Sequence, residues 1–162
     1  MIQFERATRA DLPAIVQIYN QNIAGHMVTA DLAPVTVAER QGWFDRYSDQ
    51  YPLWVARDQG VRAWVGLEPF YGRAAYAHTA EISVYVDAAA QHQGLGQASL
   101  DFVQAQLPAL NIDTVLAYVF SHNAPSQHLF AKNGFIVWGH LPDVAELAGQ
   151  RRSLDILGRR FG

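Results

Sequence analysis

The segment Gln91-His92-Gln93-Gly94-Leu95-Gly96 sets two closely spaced glycines between two different periodicities. Before it runs Glu81-Ile82-Ser83-Val84-Tyr85-Val86-Asp87, rich in β-formers; after it, from Gln97, Leu100, Val103 and Leu107 recur at helical spacing. A strand passing through a glycine turn into a helix suits phosphate, because the first helical N–H groups lack internal partners and carry roughly half a positive charge. Glycine lets the backbone approach the anion, and Ala98 is small enough not to block it. Two other phosphate motifs do not fit. A dinucleotide fingerprint needs glycine where Ser99 stands, and a P-loop needs a Gly-Lys-Ser/Thr that the segment lacks. A plain strand-to-helix turn with glycines at its corner remains open.

Other residues could act beside that turn. Glu81 shares its strand parity with Ser83 and Tyr85, so the three project to one face, where a carboxylate can take a proton; a solvent-facing strand residue is the alternative. Asn123 and Ser126 could serve a ligand; otherwise Asn123 caps the helix that follows and Ser126 is an ordinary first-turn residue. Phe70, Tyr71, His78 and Tyr85 could line a pocket, although aromatics near strand ends more often belong to the core. The histidines His26, His78, His92, His122, His128 and His140 contain no H-x-x-x-H pair, so no metal site is expected.

These residues need one scaffold. A chain of 162 residues, 50% hydrophobic and 17% charged, fits a single domain over 1–162 with one sizeable core. Without cysteine there are no disulfides or thiolate metal sites, and the start Met1-Ile2-Gln3-Phe4-Glu5-Arg6 lacks a secretory layout, so a cytoplasmic location is expected. No apolar run approaches the roughly 20 residues of a membrane helix. A formal charge of −3 argues against nucleic acid as partner.

The spacing predicts a strand over 2–7 and a helix opened by Thr8-Arg9-Ala10-Asp11, carrying Leu12, Ile15, Val16, Ile18, Tyr19 and Ile23 and ending at Gly25. Thr36-Val37-Ala38-Glu39 opens a second helix through Trp43, Phe44 and Tyr47. Tyr51 to Arg57 and Val61 to Phe70 flank Asp58-Gln59-Gly60 as a hairpin. The helix after the glycine turn should stop near Pro108; Thr114 to Phe120 is a strand, Ala124 to Asn133 a helix terminated by Gly134, and Phe135 to Gly139 and Ser153 to Phe161 are strands. The class is mixed α/β on one sheet.

The glycine segment and the strand before it resemble the acetyl-CoA motif Q/R-x-x-G-x-G/A of the GNAT superfamily of N-acetyltransferases. Ser121-His122-Asn123-Ala124-Pro125-Ser126 and Asn133-Gly134-Phe135 resemble its Asn-x-x-Ser helix and Leu-Gly-Phe. Ala7-Thr8, Asp11-Leu12-Pro13-Ala14-Ile15, Ile18-Tyr19-Asn20, Trp43-Phe44, Gly66, Pro69-Phe70, Tyr76 and His78-Thr79-Ala80-Glu81 are most similar to the phosphinothricin and methionine sulfone/sulfoximine acetyltransferases. The resemblance implies an α/β (α+β) fold with about six to seven strands in a mixed sheet, helices on both faces and a splayed strand pair at the CoA site. It implies acetyl-CoA as cosubstrate without a metal, a small-molecule amine such as an amino acid as acceptor, and a homodimer.

It also implies roles. Glu81 is the base, acting directly or through water; Val84, Tyr85 and Val86 offer backbone groups to the pantetheine arm, and Asn123 adds a side-chain hydrogen bond. Gln91, His92, Gln93, Gly94, Leu95, Gly96, Gln97 and Ala98 hold the pyrophosphate, with Ser126 and Phe130 on the following helix. Phe70, Tyr71, Arg73, His78 and Tyr85 face the acceptor. Three departures stand out: Phe130 replaces a tyrosine or histidine that protonates the thiolate, Ala77 replaces a second basic residue, and 146–155 lacks the family's tryptophan. Water or Tyr118 could supply the missing proton. A protein or peptide acceptor, or a non-catalytic acyl-CoA-binding module, are the alternative functions.

Overall fold

The computed structural model describes residues 1–162. Strand β1 (Gln3–Arg6) enters a 3-10 turn and helix α1 (Leu12–Asn20). The Asp11 carboxylate fastens this junction, accepting the Thr8 N–H at 2.9 Å and Arg57 Nη2 at 2.8 Å. The helix ends at Asn20, not at the anticipated Gly25, because the Asn20 side chain clamps Val35 through two bonds of 2.9 Å to its N–H and carbonyl. Ile23, beyond the helix, is still buried. Helix α2 (Val37–Asp45) starts as the Thr36 cap predicts, the hydroxyl accepting the Glu39 N–H at 3.1 Å. Strands β2 (Leu53–Arg57) and β3 (Val61–Pro69) pair antiparallel across Asp58-Gln59-Gly60.

Strand β4 (Thr79–Val86) leads through the glycine turn into α3 (Leu95–Leu110), followed by β5 (Thr114–Phe120) and α4 (Ala124–Lys132). Helix α3 starts two residues before the expected Gln97 and runs through Pro108 rather than stopping there. So near the helix end the proline forfeits one bond, and Asn111 closes the turn at φ 57° by donating to the Leu107 and Pro108 carbonyls.

The largest correction concerns the end of the chain. In place of short separate strands at 135–139 and 153–161, β6 (Ile136–Leu147) and β7 (Gln150–Arg160) form one long hairpin. Its turn places Ala148 at φ 52° and Gly149 at φ 78°, the two positive angles of a tight hairpin, with alanine where asparagine usually signals it.

The seven strands form one sheet in the order β1-β2-β3-β4-β5-β7-β6. As expected, helices cover both faces. Ile15, Ile18 and Tyr19 of α1 bury Leu53, Val55 and Trp64, with Trp43 and Phe44 of α2 packed alongside. On the other face Leu100, Val103 and Leu107 of α3 and Phe130 of α4 pack on Trp54, Val65, Ile82, Val115 and Val119. No helix is long and apolar enough to cross a membrane.

Candidate active site

Strands β4 and β5 are parallel and paired only at Thr79 with Thr114, Ala80 with Val115 and Glu81 with Leu116. Beyond Glu81 they diverge, while β4 remains paired with β3 to Val86. An antiparallel ladder alternates its bonds, and Asp87 donates to the Arg62 carbonyl, so the peptide groups of Val84 and Val86 point away from β3, into the opening. Tyr85, between them, is turned to β3. The cleft so made is lined by Glu81, Ser83, Val84, Tyr85, Tyr118, Asn123, Ser126 and Phe130, with Val28 from the loop after α1. Unpaired strand edges inside a fold call for a partner, and an extended amide-bearing chain fits between them.

One end of the cleft leads to the glycine turn. Gln91, His92, Gln93 and Gly94 are exposed. Gln91 folds back, its Nε2 donating to the Val86 carbonyl at 3.1 Å. Gly94 caps α3 at φ 78°, where a side chain would be strained, and the space a Cβ would fill is open. The first helical bond is Ala98 N–H to the Gly94 carbonyl, 2.9 Å, so the N–H groups of Leu95, Gly96 and Gln97 precede it without intrahelical partners. Gly96 has a different reason. A Cβ there would come 3.0 Å from Leu129 Cδ2, so this glycine lets α3 and α4 touch. The Gln97 side chain is bonded to Asn133 and Asp101.

Asn123 is a helix cap that keeps a free donor. Its Oδ1 caps α4 by accepting the Ser126 N–H at 3.2 Å, while its Nδ2 makes no hydrogen bond and remains a donor beside the cleft. Phe130 is 6% exposed and packs edge-on against Phe135, with ring centroids 5.0 Å apart, so it forms the cleft's apolar floor.

Glu81 borders both the cleft and a second cavity of about 500 Å³, lined also by Arg46, Tyr47, Leu67, Glu68, Pro69, Tyr71 and Gly72. Burial, and then the charge of Glu68, its cross-strand partner, push its carboxyl up to about 7. A carboxyl with that pKa exchanges protons near neutral pH. Tyr118 shares the cleft wall and keeps its proton, its pKa raised by burial and then by Glu81 and Tyr71.

The structure separates the residues that sequence reading grouped at the acceptor. Tyr71 lies on the Glu81 cavity, but Phe70, Arg73 and His78 line a neighbouring one of about 470 Å³ with Tyr76 and Asn111. The two share Pro69 and Gly72. His78 Nδ1 is held by the Asn111 carbonyl at 2.8 Å. The Tyr85 ring instead stacks on Trp64 at 4.6 Å and tilts against Tyr19, inside the α1 cluster. Tyr85 borders the cleft, but its peptide groups pair with β3 and its ring packs in the core.

Arg46, Tyr47, Glu68 and Val28 escaped the sequence reading. Glu68 needed the β3–β4 register to be set opposite Glu81, and Arg46 and Tyr47 enter only because α2 packs on that face. Gly66 carries a trace of this, since a Cβ there would come 2.7 Å from the Tyr47 hydroxyl.

Comparison with known proteins agrees with this geometry. The Acetyltransferase (GNAT) family model matches residues 15–135. YwnH of Bacillus subtilis, named as a candidate phosphinothricin acetyltransferase, is 46% identical over 157 residues, covering 96% of each chain. The L-methionine sulfoximine/L-methionine sulfone acetyltransferase of Pseudomonas aeruginosa is 33% identical over 87% of this chain and 84% of its own. The crystal structure of a phosphinothricin acetyltransferase from Sinorhizobium meliloti in complex with AcCoA superposes with a TM-score of 0.92, at 25% identity, covering 99% of this chain and 89% of that one. A family model over most of the chain and relatives of this similarity, together with the splayed sheet, show that the chain belongs to the GNAT family of N-acetyltransferases.

Proposed function

We propose that this protein transfers the acetyl group of acetyl-CoA to the amino group of a small molecule, an amino acid or an analogue such as phosphinothricin or methionine sulfone or sulfoximine, by direct attack in a ternary complex. One observation carries the reading: Glu81 alone borders both the cleft between the splayed strands and the cavity beside it. The N–H groups at the start of α3 would meet the pyrophosphate, and the peptide groups of Val84 and Val86 with Asn123 Nδ2 would meet the pantetheine amides. Glu81 takes the proton from the ammonium group, directly or through water, because only the neutral amine has a lone pair to attack. A free amino acid near neutral pH is almost wholly ammonium, so a base poised near 7 shortens that step. The amine forms the new C–N bond and the C–S bond breaks; the thiolate takes a proton from Tyr118 or water, since Phe130 has none to give, and the proton the nitrogen sheds on becoming an amide restores that donor. The reading includes a homodimer, supported by edge strand β6, which exposes Ile136, Val137, Trp138, Leu141 and Val144.

A thiol-release assay with acetyl-CoA tests this against amino acids, methionine sulfone, phosphinothricin, polyamines and peptides. Release with amino acids or their analogues is the expected result. Release with peptides alone would move the acceptor to protein amines. Tight CoA binding with no release from any amine would make the chain a binding module.

A further inference from the structure

The Glu81 cavity carries an arrangement of charge that the family resemblance did not mark. Arg46, just past the end of α2, points its Nη2 at Glu68 Oε1 across 3.8 Å, too far for a hydrogen bond. Glu68 and Glu81 are cross-strand partners on the same face. Tyr47, next to Arg46, lines the same cavity, and its hydroxyl, buried against Gly66, has no partner. Burial, and then the charges of Glu68 and Glu81, keep its proton on, so it is a donor with nothing to donate to. A buried unpaired hydroxyl is unfavourable unless something fills the need. Arg73, the cation that the resemblance offers to the acceptor, lines the neighbouring cavity instead.

We propose that Arg46, Tyr47 and Glu68 read the acceptor as an α-amino acid zwitterion. Its carboxylate takes Arg46 and the Tyr47 hydroxyl, and its ammonium enters between Glu68 and Glu81. Two acids against one cation leave the empty cavity acidic, which draws the ammonium group in. The Arg46–Glu68 pair is loose and its arginine largely exposed, so it contributes little and the ligand's two charges replace it at small cost. Glu68 then has a further effect: its charge keeps the Glu81 proton affinity high enough for exchange near neutral pH. The charged and titratable groups around Glu81 are Glu68 on β3, Arg46 and Tyr47 after α2, Tyr71 in the loop after β3, and Tyr118 on β5.

This proposal rests on the acetyl-transfer reading but is tested by binding as well as turnover. Methionine sulfone and its α-carboxamide share the side chain and the amine and differ in the carboxylate. In Arg46→Gln, kcat/KM for methionine sulfone should fall about 10- to 100-fold through KM, as loss of a charged hydrogen bond gives, with the carboxamide changed less than about threefold. Arg46→Lys should recover part of the loss. Glu68→Gln should raise KM for both compounds and move the midpoint of the pH–rate profile to lower pH, which a merely structural side chain would not do. Equal losses on both compounds in Arg46→Gln, or none, overturn the proposal while leaving acetyl transfer standing. Calorimetric titration of methionine sulfone into the CoA-bound protein separates the remaining cases. Binding that needs Arg46 without acetyl transfer upholds the zwitterion site and rejects the transfer reading. Neither binding nor transfer overturns both.

Discussion

The two ends of the site are built from different materials. At the proposed cofactor end the groups on offer belong to the backbone: the N–H groups opening α3, the Val84 peptide groups and the Val86 N–H turned away from β3, and a glycine at φ 78°. At the proposed acceptor end they are side chains, Arg46, Tyr47, Glu68 and Glu81, brought together from the segment just after α2, from β3 and from β4. A backbone site needs only local geometry and tolerates little change in the residues that set it. A side-chain site needs register and packing, and changes its ligand whenever one residue changes. Glu81 is where they meet.

Substitution at that junction should have the largest effect. Glu81→Gln removes the base and should lower kcat by about 10²-fold, the lower end of what general-base catalysis contributes. The wild-type rate should climb as pH rises through about 7, where Glu81 loses its proton, and the variant's profile should be flat there. Unchanged turnover from pH 6 to 9 would remove Glu81 from the mechanism. The same variant has a stability signature. A carboxyl raised above its unfolded value favours folding fully below about 4.5 and loses that contribution as pH rises through about 7. Glu81→Gln should therefore melt higher than wild type at pH 8 and the same at pH 4, read by thermal denaturation.

Glycine substitutions separate the two ends more finely. Gly94→Ala forces a Cβ into left-handed backbone, a strain of about 1–2 kcal/mol, and should raise the KM for acetyl-CoA about 10-fold while leaving the amine's KM alone. Gly72, at φ 65° on the loop that borders the Glu81 cavity and its neighbour, is the counterpart, and Gly72→Ala should change the amine's KM alone. Initial-rate kinetics with each substrate varied in turn would show the crossing pattern, and parallel shifts in both constants would mean the ends are not independent.

The smallest effect divides the two roles of Asn123. Asn123→Asp keeps the oxygen that caps α4 and loses the Nδ2 donor, so the KM for acetyl-CoA should rise about fivefold, one ordinary hydrogen bond, with melting temperature unchanged. Asn123→Ala loses both and should also cost about 1 kcal/mol of stability. If the aspartate variant binds acetyl-CoA normally, Asn123 is a cap and nothing more.

Most of the scaffold was legible because its signals are local. Thr36 with Glu39 marked a helix start, Asp58-Gln59-Gly60 a hairpin, and the β-rich runs gave β4 and β5. The β6–β7 hairpin was missed because Ala148-Gly149 lacks the asparagine that normally announces such a turn, and the strength of that pairing lies in cross-strand contacts. Tyr85 was placed at the acceptor by parity, which fixes the face but not the neighbour; Trp64 and Tyr19 hold its ring.

What the sequence determined by itself was the glycine turn from Gln91 to Gly96 that opens α3, because strand, glycine and helix start follow one another along the chain and their conformations depend on near neighbours. What only the tertiary structure decided was the acceptor cavity. Glu68 faces Glu81 through strand register, Arg46 and Tyr47 reach them through packing of α2, and Arg73 and His78 are carried by their loop into the next cavity. Those relations join residues far apart in sequence, where no local spacing records them.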